Sequence, residues 1–360
     1  MRVTIIAGAR PNFMKIAPII KAIEKAKAEG ITIDYRLVHT GQHYDKKLSD
    51  VFFDELGIPQ PHANLEVGSG TQAEQTGKIM MAFEKELMAN PCNLVMVVGD
   101  VNSTMACSIV AKKLNTKVAH VEAGIRSFDM EMPEEINRIV TDALADYFFT
   151  TSEIANKNLL AAGAKPEQIF FVGNTMIDTL LSNLPRIKQP DIWQSLHLQE
   201  KSYYLLTLHR PSNVDDENRF DALMKEIVKG AAGRQLIFPV HPRTRKMIEG
   251  KNYAGLSVID PLGYLEFIYL VKNARAVVTD SGGIQEETTV LAVPCLTLRN
   301  NTERPETMSI GSNELIGDDF DKLAKAFQQV EAGQWKKGGI PPLWDGQTAS
   351  RIVGILKNLK

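Results

Sequence analysis

Cysteine is scarce in this chain: Cys92, Cys107 and Cys295 are odd in number, far apart and without a CxxC spacing. That excludes a disulfide framework and a thiolate metal site, and leaves reduced packing residues. Charge of one sign is also missing, because 41 Lys and Arg stand against 43 Asp and Glu. Such a balance gives no electrostatic footprint for nucleic acid or a membrane surface. No apolar run approaches the roughly 20 residues of a membrane span. The N-terminal MRVTIIAGARPNF is a short strand and a turn, interrupted too soon for a signal peptide, so cytoplasmic residence is the expectation. The loop after that strand is not a GxGxxG fingerprint and no GxxxxGK[ST] occurs, so nicotinamide, flavin and P-loop chemistry lose their usual support. His39 and His43 are four apart, but Gly41 lies between them and no glutamate adjoins the first. No metal site is expected.

What the chain does have is alternation. Short apolar runs and longer amphipathic stretches succeed each other to about residue 300, the pattern of βα units around parallel sheets. The first series of expected strands is Val3 to Ala7, Asp34 to His39, Leu94 to Val98, Lys117 to Val121 and Tyr147 to Thr150. A second series is Ile169 to Val172, Tyr203 to Leu208, Leu236 to Val240, Ser257 to Ile259, Ala276 to Thr279 and Cys295 to Leu298. At 360 residues the chain is long for one core. The prolines of Leu184 to Pro190 mark a break, which puts the domain junction near residues 170 to 190. The expected fold is α/β with two doubly wound parallel sheets: residues 1–170, and residues 171–345. The segment 346–360, with Ile352, Ile355 and Leu356 at helical spacing, is expected to pack away from the second sheet. Ligands of such folds bind beyond the carboxyl ends of the strands.

Those ends carry the chemistry. The run DSGGIQEE from Asp280 follows a β-branched strand; Ser281 is placed as an N-cap, and Gly282 and Gly283 allow close backbone approach. A helix starting there aims free N–H groups and its positive end at an anion such as a diphosphate. Glu286 and Glu287 follow at a distance suited to ribose hydroxyls, although a capped helix with no ligand explains the run too. After the first strand come Gly8, Arg10 and Lys15, two cations near a helix N-terminus, where the dipole disfavours them. Arg10 is therefore a candidate anion ligand, with Lys15 behind it. After Val98 comes Gly99 and then Asp100, equally well read as a helix cap. Glu122 follows Val121 directly, and a carboxylate there calls for a partner or a reactive role. In MPEEINR from Met132, Pro133, Glu134 and Glu135 suit a first helical turn. His209 with Arg210, and His241, follow strands of the second series. Several carboxylates with an imidazole suit proton transfer.

Taken in order, GARPNFMKIAP from Gly8, GDVNST from Gly99, HVEAGIRS from His120, MPEEINR, GNTMID from Gly173, HRPSN from His209, PVHPRT from Pro239, DSGGIQEE and TERPE from Thr302 resemble the bacterial non-hydrolysing UDP-N-acetylglucosamine 2-epimerases over nearly the whole chain. The resemblance implies a GT-B architecture, two Rossmann-like domains facing a central cleft, with the C-terminal helix returning to the first. It implies interconversion of UDP-N-acetylglucosamine and UDP-N-acetylmannosamine for surface polysaccharide precursors. The implied route is anti elimination of UDP through 2-acetamidoglucal and re-addition, with no cofactor. Asp100, Glu122 and Glu134 then match the acid and base residues, in an order not assigned, and His209 a partner near the departing diphosphate. Arg10, Ser281 and Gly282 match diphosphate ligands and Glu287 the ribose carboxylate. Lys15, Gly283, Arg304 and Phe267, the last beside the uracil, complete the UDP-sugar set. A homodimer is implied as well.

Two departures stand out. Many members carry Gln and Arg near Asp45 and Gly70 to bind a second UDP-N-acetylglucosamine as activator; this chain keeps Gln42 and His43 only, which counts against that activation. HRPSN also differs from the commoner HRREN or HRAEN. Related epimerases act on UDP-2,3-diacetamido-glucuronic acid, so the sugar is open. A hydrolysing epimerase, a GT-B glycosyltransferase and a non-catalytic sensor are the rival readings.

Overall fold

The structure is a computed structural model that describes residues 1–42, 55–240 and 242–359. Its chain divides into two compact units, one formed by Met1–Ser182 with Pro342–Lys360 and the other by Asn183–Pro341. The first unit holds strands β1 (Arg2–Ala7), β2 (Asp34–His39), β3 (Ala63–Asn64), β4 (Leu94–Val98), β5 (Lys117–Ala123), β6 (Tyr147–Thr150) and β7 (Ile169–Phe171). They form one sheet in the order β3-β2-β1-β4-β5-β6-β7. The second unit holds β8 (Tyr203–Thr207), β9 (Gln235–Pro239), β10 (Leu256–Ile259), β11 (Ala276–Thr279), β12 (Cys295–Thr297) and β13 (Asn313–Leu315), in the order β10-β9-β8-β11-β12-β13. All pairings among the described residues are parallel. Each unit is therefore a Rossmann-like, doubly wound sheet, and two such units make up the GT-B class.

The strand sequences follow from that arrangement. In β4 (LVMVV) and β11 (AVVT) every residue is buried, as expected where helices cover both faces of a parallel sheet. In each sheet the chain starts centrally, steps outward for two strands, then returns to the other side of its starting strand. The reversal falls between β1 and β4 in one unit and between β8 and β11 in the other. Crevices at such switch points are where open α/β sheets bind ligands.

The first unit ends at Ser182, inside the 170–190 stretch read as the junction and twelve residues beyond the boundary at 170. Ile169 to Phe171 does not begin the second sheet but closes the first as β7, paired with β6. The first unit runs on to Ser182 because the helix Thr175–Asn183 is tied into it: the Thr179 hydroxyl donates to the Met14 carbonyl at 2.5 Å. In the same helix the Asp178 carboxylate accepts the N–H groups of Thr348 (3.1 Å) and Ala349 (2.7 Å), capping the C-terminal helix Thr348–Leu356. That helix buries Ile352, Val353 and Leu356 in the first unit, and the fully buried Trp344 ahead of it donates its indole N–H to the Thr151 carbonyl at 3.0 Å. The strands β3 and β13 are too short for a periodicity to announce them.

The helix Pro133–Leu144 is inverted relative to an ordinary amphipathic helix. It buries Glu135, Asn137, Arg138, Thr141 and Asp142, while Ile136 and Ile139 stand exposed. Among the described residues no helix is long and apolar enough to cross a membrane.

Candidate active site

In the first unit the candidate residues gather at the carboxyl ends of β1, β4 and β5. Gly99, just past β4, has φ +69°, and a Cβ there would stand 3.0 Å from the Lys15 Nζ. Glycine thus serves both the turn and the passage of the lysine. That ammonium reaches Glu122 Oε2 at 2.5 Å, with both side chains buried. Glu122 does not follow the strand, as expected, but lies inside β5 at a break in register between Val121 and Ala123. Its φ is +71°, a left-handed backbone at a non-glycine residue. A β-bulge of this kind re-aims a side chain, and the strain it stores is commonly found at functional positions.

Asp100 is not a helix cap. Val101 occupies the N-cap position of the helix Asn102–Lys113, and the Asp100 carboxylate instead takes two N–H groups from Arg138, at 2.6 and 3.0 Å. The same guanidinium donates to Glu135 at 2.6 Å. Glu135 also accepts from Ser127 N (3.0 Å), the Ser127 hydroxyl (3.1 Å) and Phe128 N (3.2 Å), which fixes the loop between β5 and the next helix. Of the two adjacent glutamates, Glu135 is therefore the buried structural one, while Glu134 is exposed on the first helical turn. Behind them His120 Nδ1 meets Asp142 Oδ1 at 2.7 Å and Arg126 meets Asp142 Oδ2 at 2.6 Å. Burial pushes against ionisation of Asp142, but His120 and Arg126 together hold its carboxyl below the usual range. The structure thus unites Lys15, Asp100 and Glu122 with a scaffold of Arg138, Glu135, His120 and Asp142. The side chain of Arg10 lies outside the described residues, as do His43, Asp45 and His241.

In the second unit, β8 and β11 pair with Thr207 opposite Thr279, so His209 and Asp280 emerge side by side at the switch point. Ser281 stands at the N-cap of the helix Gly282–Val290, as expected, but its side chain makes no capping bond; its own N–H donates to the Thr279 hydroxyl at 3.0 Å. Ser281, Gly282 and Gly283 are only half-buried, so the positive end of the helix meets solvent. A Cβ on Gly282 would come within 2.7 Å of Glu303 Oε1, so a side chain here would have to displace that carboxylate. Glu303 is itself held by Arg299 at 2.6 Å.

Farther along the helix, Glu286 takes Arg304 Nε at 2.5 Å and is committed to that pair. Glu287 is buried and accepts the Tyr264 hydroxyl at 3.1 Å. Burial, reinforced by Glu286 and opposed by the tyrosine hydrogen bond, pushes the Glu287 carboxyl up to about 8. Phe267, one turn beyond Tyr264, is half-buried against the cluster containing Ile284. Ser281, Gly282, Gly283, Glu287, Phe267 and Arg304 thus all border or contact one helix. Tyr264 gave no sequence signal.

Taken separately, the second unit presents a helix N-terminus suited to an anion, and the first gathers carboxylates suited to acid–base chemistry. A family model described as UDP-N-acetylglucosamine 2-epimerase matches residues 24–357. The UDP-N-acetylglucosamine 2-epimerase of Methanocaldococcus jannaschii is 44% identical over 375 residues, covering 99% of each chain. A Pseudomonas aeruginosa protein, UDP-2,3-diacetamido-2,3-dideoxy-D-glucuronate 2-epimerase, is 38% identical over the whole of both chains. The crystal structure of the M. jannaschii enzyme in complex with UDP-GlcNAc and UDP superposes with a TM-score of 0.89 over 100% of both chains.

Proposed function

Since this chain belongs to the UDP-N-acetylglucosamine 2-epimerase family, and so is an isomerase of the non-hydrolysing kind, we propose that its reaction is the interconversion of UDP-N-acetylglucosamine and UDP-N-acetylmannosamine by elimination and re-addition of UDP. The C2 proton of the sugar is too weakly acidic for simple exchange. A carboxylate on one face removes it while the C1–O bond breaks; the C–H electrons form the C1=C2 bond of 2-acetamidoglucal, and the C–O pair leaves with the diphosphate. An acid on the other face then protonates C2 as the diphosphate oxygen rebonds to C1. Oxidation state does not change, and the site keeps UDP throughout.

The observation that carries this reading is Glu122, placed by a left-handed bulge beside Lys15. We assign Asp100, Glu122 and Glu134 to proton transfer around C2 and His209 to the departing diphosphate. Arg10, Ser281, Gly282, Gly283 and Arg304 hold the nucleotide, Glu287 accepts from the ribose and Phe267 lies beside the uracil. Lys15 keeps Glu122 in place. The higher identity to the M. jannaschii enzyme than to the diacetamido-glucuronate enzyme favours UDP-N-acetylglucosamine as substrate. We assign the product to surface polysaccharide precursors. We also assign a homodimer, supported by the exposed Ile136 and Ile139 on the inverted helix.

Incubation with UDP-N-acetylglucosamine in D2O, followed by NMR, tests the reaction. Deuterium at C2 with UDP-N-acetylmannosamine appearing is the expected result. Free N-acetylmannosamine would mean hydrolysis, and an unchanged substrate would refute the reading.

A further inference from the structure

We propose that Asp280 is a positioning residue for His209, fixing the tautomer in which Nδ1 carries a hydrogen and Nε2 alone faces the ligand. The inference rests on the assignment of His209 to the leaving diphosphate. Its structural basis is independent of that assignment.

Asp280 is 0% exposed, whereas the His209 side chain is 60% exposed. One carboxylate oxygen lies 2.8 Å from His209 Nδ1. The other accepts from His209 N (3.1 Å), Arg210 N (3.0 Å) and Asn213 Nδ2 (3.0 Å). Asn213 is itself anchored, because its amide also donates to the Leu298 carbonyl at 3.1 Å. The Arg210 side chain grips the Asp280 carbonyl through Nε at 3.1 Å. A buried carboxylate surrounded by donors is an acceptor only. Burial alone would raise its pKa, but His209, Asn213 and the Arg210 N–H hold it below the usual carboxylate range. The hydrogen between Asp280 and His209 must therefore belong to Nδ1.

Proton exchange by His209 is then confined to Nε2. When Nε2 is protonated, the ring presents an N–H and a positive charge to a diphosphate oxygen, and the buried carboxylate stabilises that charge from behind. Asn213 and Arg210 belong to the same device: they keep the carboxylate from turning. This gives HRPSN a physical meaning, since its first, second and fifth residues all bond to the residue that opens DSGGIQEE.

The test uses the full chain labelled with 15N-histidine, His209 being assigned by its loss in His209→Gln. In the wild type, His209 shows Nδ1–H at neutral pH; an Nε2–H tautomer there would overturn the proposal without reference to activity. Asp280→Asn, which turns an N–H toward the ring, switches His209 to Nε2–H and lowers kcat by about 10²- to 10⁴-fold, with UDP affinity within a few fold. In the His209→Gln background the same substitution causes little further loss. A full additive loss would show that Asp280 acts on the fold rather than through the imidazole. If the chain does not epimerise but His209 has the stated tautomer, the reaction assignment fails and the positioning role survives.

Discussion

Lys15 Nζ and Glu122 Oε2 are 2.5 Å apart, one on the helix Arg10–Ala28 and the other on β5 of the first unit. Both side chains are more than nine-tenths buried, so neither charge has water to fall back on. Removing one member of a buried pair leaves a desolvated charge, whereas removing both together costs much less.

Lys15→Met is accordingly expected to destabilise the first unit by about 3 kcal/mol, and Lys15→Met with Glu122→Gln to recover most of that loss. Urea unfolding of the three variants measures it. Equal stability of the single and double variants would show that the pair is not coupled. Glu122→Gln alone is expected to abolish turnover while leaving UDP affinity within a few fold.

Glu287 gives a pH prediction. Its carboxyl stands near 8 in the folded chain against an ordinary value of 4.5. Between those values the native state holds more protons than the unfolded one. The group's contribution to stability is thus fully present below the unfolded value and is lost as pH rises through 8, with a slope approaching about 1.4 kcal/mol per pH unit. Glu287→Gln should flatten that slope and gain stability over the wild type toward the alkaline end. Denaturant titrations across this pH window check it; parallel pH curves for the two proteins would contradict the buried-acid assignment.

The inverted helix gives a third. Exposed Ile136 and Ile139 on a helix whose buried side is polar are expected to lie in the contact between two copies of this chain. Light scattering after size exclusion should give a dimer for the wild type and a monomer for Ile136→Glu with Ile139→Glu. A monomeric wild type would remove the homodimer.

Much of this was legible in the sequence because strands of parallel sheets are short, apolar and easily located, and because sites collect at their ends. Leu94 to Val98 and Ala276 to Thr279 were read to the residue. What was not legible is partnership at a distance in the chain. Asp100 could be read equally well as a cap because Arg138, its partner, lies a whole βα unit away. Ile169 looked like the start of a new sheet because periodicity carries no information about which neighbour a strand chooses. Glu122 is singled out by its place at the end of an apolar run, but nothing in HVEAGIRS announces a bulge; it depends on how β5 meets β6. Asp280 opened the most conspicuous motif and yet had no role, since its meaning lies in His209, a neighbour only through the pairing of β8 with β11.

The cap that Asp178 places on the C-terminal helix has a consequence for the order of events during synthesis. The second unit is continuous in sequence, whereas the first waits for residues beyond 341 to supply Trp344 and the helix Thr348–Leu356. On the ribosome, the later-made unit therefore has all its parts before the earlier-made one does. A nascent first unit holds an open apolar seat, where Ile352, Val353 and Leu356 will sit, for nearly the whole of translation. Chaperone dependence and sensitivity to premature termination are expected to concentrate at that seat, in the half of the protein that leaves the tunnel first.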